Sequence, residues 1–321
     1  MKNILYALAA TAALIGGAKA QTFPTQPIKM IVPFAAGGPT DVIARLVGEH
    51  MSKTLGQPVT IENITGAGGT TGITLASQAK PDGYTIMMGH MGTHGAAPAL
   101  YPDLKYDPAR DFEPIGMAAG TPVVIVARKD FPAKDLKEFA AYLKTNGDKI
   151  KQAHAGIGAV SQMTCVMLNS QVGANPTTLT FTGSGPILSD LMAGKVDYAC
   201  DQIVNLVTQI KAGSIRAYAI ASAERSPVLP DVPTTAEAGL PDYQVTAWNA
   251  AFAPKGTPKD IVVKLNAALG QAIDDPATRK ALLDLGAVLP QRFQRGSEWL
   301  RNFVVNEIAR WTPVLKVASA K

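Results

Sequence analysis

The stretch "IVPFAAGGPTDVIARL", residues 31–46, decides how the chain is read. An apolar run of strand type stops at Gly37 and Gly38. Pro39 follows, and from there apolar residues recur at helical spacing. Pro39 suits the first position of a helix, where a backbone N–H would lack a partner anyway. Asp41, one turn in, complements the helix dipole. A strand, a glycine turn and a helix start in this order present backbone N–H groups to an anion. The Lys of a phosphate loop, G-x-x-x-x-G-K-[ST], is missing, and so is the G-x-G-x-x-G of a dinucleotide site. A small carboxylate fits the loop. The alternative is a helix capped by glycines that holds no ligand.

Working outward, "IKMIVPF" (28–34) reads as a strand and residues 39–56 as a helix, with Val42, Leu46 and Leu55 inward and Gly56 as its stop. Strands at 58–63 and 84–89 flank a helix at 70–80, which makes a β-α-β-α-β series and a parallel α/β layer. The alternation returns with strands at 121–130, 178–183, 196–201 and 215–222, and helices at 135–146, 160–173 and 186–195. The tail, 258–275 and 298–316, is helical. Two α/β lobes follow: residues 21–124 with 248–321, and residues 125–247. The chain crosses between them near "PVVIVAR" and "TAWNAAFAPKG". A two-strand hinge of this kind leaves a cleft, a usual place for a ligand.

Residues 1–20 stand apart. Lys2 precedes an apolar run at 4–15, and "AKA" at 18–20 has the small-x-small form of a cleavage site. This is the pattern of an export signal cut before Gln21, so the mature protein is expected in the periplasm. A retained membrane anchor is the alternative, although the run is short for a bilayer. The chain has 321 residues, 47% apolar and 17% charged, enough for a sizeable core and too apolar for disorder. Without Lys2 and Lys19 the formal charge falls from +5 to +3. The cations are scattered, which speaks against nucleic acid as a partner. The two cysteines, Cys165 and Cys200, are expected to pair in an oxidising compartment. Two buried thiols that never meet are the alternative.

Other loops carry candidate chemistry. In "GHMGTHGAAPALYPD" (89–103), His90 and His94 stand four apart, but the Glu of H-E-x-x-H is absent and Gly92 and Gly95 interrupt a helix, so no metal site is assigned. Thr93 offers a hydroxyl. "HAGIGAVSQ" (154–162) and "TFTGSGPILSD" (180–190) are further glycine turns entering helices, near Val160 and Pro186. Three such turns from both lobes suggest an anion held across a cleft, and facing helix ends suit a dianion. Ser161 and Ser184 lie outside any G-x-S-x-G, His154 has no evident nucleophile, and Asp41, Asp190, Asp197 and Asp201 have ordinary capping or surface readings. No catalytic residue and no cofactor is assigned.

The segments "FPTQPIKMIVPFAAGGPTDVIARLV", "ITGAGGTTG", "KPDGYTIMMG", "THGAAPALY", "YDPARDFEPIG", "FTGSGPILSDLMAGKVDYACD" and "LPDVPTTAEAGLPDY" together resemble the Bug-type receptors, the extracytoplasmic solute-binding proteins of tripartite tricarboxylate transporters. The resemblance spans nearly the whole mature chain. It implies a two-lobed periplasmic-binding-protein fold, type II-like, that closes on small organic carboxylates such as dicarboxylic amino acids, citrate, nicotinate and aromatic acids. It also implies a ligand set: Phe34, Gly37, Gly38, Thr40 and Asp41 from the opening loop, then Met91, Thr93 and His94. From the second lobe come Gly156, Val160, Ser161, Thr182, Gly183 and Asp201. Where the family often has Asn in "THAxNP", this chain has "THGAAP", which removes a polar contact near Ala97. The expected function is a monomeric, non-enzymatic receptor. It takes a dicarboxylate or aromatic carboxylate and passes it to membrane permease subunits. A binding protein that feeds a signalling partner, and a hydrolase, are the other classes weighed.

Overall fold

Strand β1 (Ile28–Val32) sends Ile28, Met30 and Val32 into one core and Ile31 into another, so both its faces are covered. A central parallel strand requires this. These and all residues from 23 to 319 are described by a computed structural model; the export signal and its cleavage point before Gln21 lie outside the described residues. Helix α1 (Pro39–Leu55) covers the first face with Ile43, Ala44, Val47, Met51 and Leu55. The inward stripe differs from the expected one, since Val42 and Leu46 are only half-buried. The face packed on the sheet is instead the i, i+4 series 43, 47, 51 and 55. Gly56 ends it in the left-handed region, its N–H on the Ser52 carbonyl.

Strands β2 (Val59–Asn63) and β3 (Thr85–His90) flank β1 in parallel, with α2 (Thr70–Ser77) between them in sequence. A π-helical turn, Met91–Ala96, leads to the short α3 (Ala97–Leu100). The chain then runs β4 (Phe112–Arg128), α4 (Leu136–Asn146), β5 (Lys151–His154), α5 (Val160–Val172), β6 (Thr177–Thr180) and α6 (Ser184–Met192). It continues with β7 (Tyr198–Gln202), α7 (Val207–Lys211), β8 (Ile215–Ile220), β9 (Thr246–Pro254), α8 (Lys259–Asp274), α9 (Pro276–Asp284) and α10 (Ser297–Ser319). One curled sheet orders the strands β2-β1-β3-β9-β4-β7-β5-β6, and β8 also pairs with β4.

The 17 residues of β4 serve both halves of the molecule. Residues 112–122 lie antiparallel to β9, and residues 123–128 lie antiparallel to β7 and β8. Register shifts at Pro114/Gly116, Met117/Ala119 and Ile125/Val126 bend the strand, as bulges do. At the crossing, the Val123 N–H donates to the Val245 carbonyl and the Val245 N–H to the Ala221 carbonyl. Two α/β lobes joined by two strands is therefore the architecture, with the crossings in the two segments the sequence singled out.

Strand β5 has no counterpart in the strand pattern read from sequence. "KQAH" is polar, yet Gln152 is fully buried, and its side-chain oxygen accepts from the Asn169 amide on α5. A buried polar side chain with a partner carries no hydrophobic pattern. Helix α9 was also unmarked: Asp275 caps it through the Thr278 N–H, with Pro276 at its first position.

Cys165 and Cys200 are joined, with Cα atoms 5.3 Å apart. The bridge ties α5 to β7, and the Thr164 hydroxyl reinforces it on the Cys200 carbonyl. The cysteines are 35 residues apart in sequence. In the chain-entropy model closure of such a loop stabilises by about 3–4 kcal/mol. Replacing both cysteines by Ala should lower the unfolding free energy by that order, measured by urea titration of both proteins, with a steeper slope for the variant whose unfolded chain is no longer cross-linked.

Candidate functional site

The opening loop is held from behind by Asp41. Its Oδ2 accepts from the Gly37 N–H and from Arg45 Nε, each at 2.8 Å, and its Oδ1 accepts from Asn63 Nδ2 at 2.8 Å. Asn63 also donates to the Phe34 carbonyl. Burial pushes the Asp41 carboxyl up, but the bonds from Arg45, Gly37 and Asn63 outweigh it and leave the pKa below the usual value. Gly37 takes a positive φ of 78°, which a side chain would resist. Gly38 is the N-cap of α1 and offers no side-chain cap, so the N–H groups of the first turn stay open.

The other half repeats this twice. Helix α5 starts after Ala159 and α6 after Gly183, both without a side-chain cap. Each follows a parallel strand, β5 or β6, at its carboxyl end, where ligands of α/β sheets bind. Ser161 folds back to accept the Ala155 N–H at 3.0 Å, which fixes the turn before α5. The three helix starts converge on one small cavity of ≈ 30 Å³. Phe34, Gly38, Thr40, Val160, Ser161, Gly183 and Asp201 form its wall, together with Ala35, Pro39, His90, Ala155, Ala159, Ser184 and Gln202. No Lys or Arg is among them.

The remaining residues of the expected ligand set lie elsewhere. Gly37 and Asp41 stand behind the wall, as described. Met91, Thr93 and His94 are fully buried. Thr93 Oγ1 is bonded to the His90 backbone and to His94 Nδ1, and the His94 ring stacks on Phe252 at 4.2 Å. Gly156 and Thr182 line a neighbouring, more open cavity of ≈ 490 Å³ with Tyr101 and the loop 65–69. His90 escaped the reading because its spacing to His94 drew attention to metals. The two rings instead part, one toward Phe34 and one toward Phe252. Its place at the carboxyl end of β3, the strand next to β1 and its loop, was the available sign.

The halves meet over this cavity. Asn205 donates to the Gly37 carbonyl at 3.2 Å and the Tyr101 hydroxyl to the Ile157 carbonyl at 2.7 Å. A Cβ on Gly68 would lie 1.9 Å from the Ile157 oxygen, and one on Gly92 2.2 Å from the Gly158 oxygen. The form described is thus closed, and the backbones approach where only glycine fits.

Asp201 is the charged group of the wall. It is 3% exposed, and its Oδ1 accepts the Gln202 N–H at 2.8 Å. Burial pushes its carboxyl up to about 6, although Ser184 and the Gln202 N–H pull it down. The His90 ring is equally enclosed, and burial holds it down to about 4, so it is uncharged at neutral pH.

Residues 43–319 match the model of the tripartite tricarboxylate transporter family receptor. MatC (Rpa3494) from Rhodopseudomonas palustris, solved with bound malate, is 51% identical and superposes with a TM-score of 0.88 over 91% of this chain and 99% of its own. The periplasmic binding protein BugD is 43% identical, with a TM-score of 0.89 over 92% of this chain and 99% of its own. Protein BugT of Bordetella pertussis is 33% identical across 313 residues, 97% of this chain and 95% of BugT. The chain belongs to the tripartite tricarboxylate transporter receptor family, a family of solute-binding receptors.

The Asp201 carboxyl has a consequence for stability. Between the unfolded value of 3.8 and the folded value of about 6, the native state holds a proton that the unfolded chain has lost. Stability therefore falls as pH rises through that window and stays lower above it. At 1.36 kcal/mol per unit this amounts to about 3 kcal/mol. Asp201→Asn should melt higher than the wild type at pH 7.5, and the gap should close below pH 4. Thermal melts of both proteins at the two pH values check this.

Proposed function

We propose that this chain is a periplasmic receptor that captures a compact dicarboxylate between its lobes and delivers it, chemically unchanged, to permease subunits of a tripartite tricarboxylate transporter. The mature receptor starts at Gln21 and acts as a monomer. Its lobes comprise residues 21–124 with 248–321, and residues 125–247. One observation carries the reading: three uncapped helix starts, from both sides of the cleft, open on a single small cavity that contains no Lys or Arg. Each helix end favours one negative group, by roughly 0.3–1 kcal/mol when exposed and up to about 2 when partly buried. Two carboxylates can reach opposed ends; one cannot. Backbone N–H groups, the Ser161 hydroxyl and bridging water are the donors, so no guanidinium clamp takes part.

The closed form leaves little room. The cavity, ≈ 30 Å³, is about the size of one water and far below ordinary ligand sites, roughly 300–1,000 Å³, so the halves have to part to admit any organic acid. Phe34 and His90 already stack against each other at 4.5 Å, which fills the space an aromatic ligand would need. A four-carbon diacid needs less opening than an aromatic acid. The malate held by the relative MatC agrees in length and charge.

Calorimetry tests the reading. Wild-type protein should bind succinate or L-malate, and the monomethyl ester of succinate at least tenfold more weakly. Gly38→Val should lose measurable binding, since an added Cβ already lies 3.2 Å from the Ala35 carbonyl and the methyls beyond it fill the space of the first carboxylate. Arg216→Ala, whose guanidinium bonds the Phe131 and Ala133 carbonyls away from the cavity, should bind as the wild type does. Equal affinity for diacid and monoester would defeat the two-ended site, and intact binding by Gly38→Val would defeat the loop's role.

A further inference from the structure

Two polar side chains of the cavity wall are not explained by carboxylate capture. Asp201 is an acceptor in a site built for anions. His90 is a ring with one nitrogen to spare. Resting on the dicarboxylate reading, we infer that His90 donates its Nε2–H to the ligand as a fixed, uncharged donor, and that with Asp201 it selects diacids bearing a hydroxyl group.

The tautomer of His90 is set by the backbone. Its Nδ1 accepts the Gly92 N–H at 2.7 Å and the Thr93 N–H at 3.2 Å. A nitrogen that accepts two amide protons carries none of its own, so in the neutral ring the proton sits on Nε2. The π-helical turn after β3 makes this bond, and the Thr93 hydroxyl returns it by accepting the His90 N–H. The Nδ1–Cε1 edge is packed against Gly92, where an added Cβ would lie 2.4 Å from Cε1. That leaves the Nε2–Cδ2 edge for the cavity His90 lines. The ring is 2% exposed and stacked on Phe34, so it cannot swing away. Nε2 has no hydrogen-bond partner among the described residues. Its proton is available, and only a ligand or water can take it.

Asp201 faces the same space with the opposite need. Above pH 6 it is ionised, and an ionised carboxylate only accepts. A group placed between these two must accept from His90 and donate to Asp201. A hydroxyl does both. A methylene does neither. An ammonium donates to Asp201 but brings protons against the His90 Nε2–H. A second carboxylate repels Asp201. The pair thus favours a hydroxy diacid over the plain diacid and over the amino diacid of equal length, because a buried donor or acceptor left unmatched weakens binding.

The test is calorimetry at pH 7.5 with L-malate, succinate and L-aspartate on the mature protein. Wild type should bind L-malate at least tenfold more tightly than either of the other two. His90→Phe keeps the stacking ring and removes the donor. It should lose affinity for L-malate about tenfold, keep that for succinate within threefold, and bring L-aspartate within threefold of L-malate. His90→Gln, which restores an N–H donor, should recover part of the preference for L-malate. Unchanged ranking in His90→Phe, or equal wild-type affinity for L-malate and succinate, overturns the inference while leaving the dicarboxylate reading intact. No binding of any of the three by the wild type removes both. Side-chain ¹⁵N spectra of the wild type give a measure that needs no variant: His90 should show a protonated Nε2 and a bare Nδ1 from pH 5 to 8, with the Nε2 resonance moved by L-malate. A protonated Nδ1 overturns the inference.

Discussion

Everything in the site follows from helix starts whose N–H groups have no side chain to satisfy them. A cap of Ser, Thr, Asp or Asn would stabilise each helix by about 1 kcal/mol. Gly38, Ala159 and Gly183 hold those positions instead. The open N–H groups are tolerable while they face water and become costly once the halves enclose them. In the closed form described, those N–H groups need an acceptor inside the cavity, which a carboxylate can supply.

The supporting structure keeps those starts in place. Asp41 spends its carboxylate on Gly37, Arg45 and Asn63, behind the loop. Ser161 spends its oxygen's acceptor capacity on Ala155. The disulfide sits one turn beyond Ser161 on α5 and next to Asp201 on β7, so it fixes two cavity residues relative to each other. The two halves, by contrast, share few direct bonds near the cavity, chiefly Tyr101 to Ile157 and Asn205 to Gly37. The donors of each half are held by bonds within that half, and β4 and β9 are the strands that join the two.

Much of this was legible in the sequence. Gly-Gly-Pro after an apolar run located the first helix start, and "PVVIVAR" with "TAWNAAFAPKG" located the crossing strands. These depend on local rules, strand and helix periodicity and the φ preferences of Gly and Pro. The failures share a cause as well. Strand β5 is "KQAH", whose buried Gln152 is paired to Asn169 from a distant helix. Val42 is only half-buried because the sheet below takes the neighbouring stripe through Ile43, Val47 and Met51. Met91, Thr93 and His94 sit close in sequence to the cavity and yet turn into the core, because the π-helical turn redirects them. Partners set by the tertiary fold leave no mark on a single segment.

His90 shows how such a partner decides chemistry. Histidine near neutral pH is ordinarily an ambiguous group, able to carry charge or not and to donate from either nitrogen. Here burial removes the charge, and two amide protons on Nδ1 remove the choice of tautomer. What is left is a donor of fixed direction and zero charge. In a cavity already crowded with helix-end positive potential, a charged donor would add attraction for any anion and no discrimination between anions. On the inference drawn above, an uncharged one that lines the same cavity as the acceptor Asp201 would contribute little to overall attraction and would sort ligands by what they carry between their carboxylates.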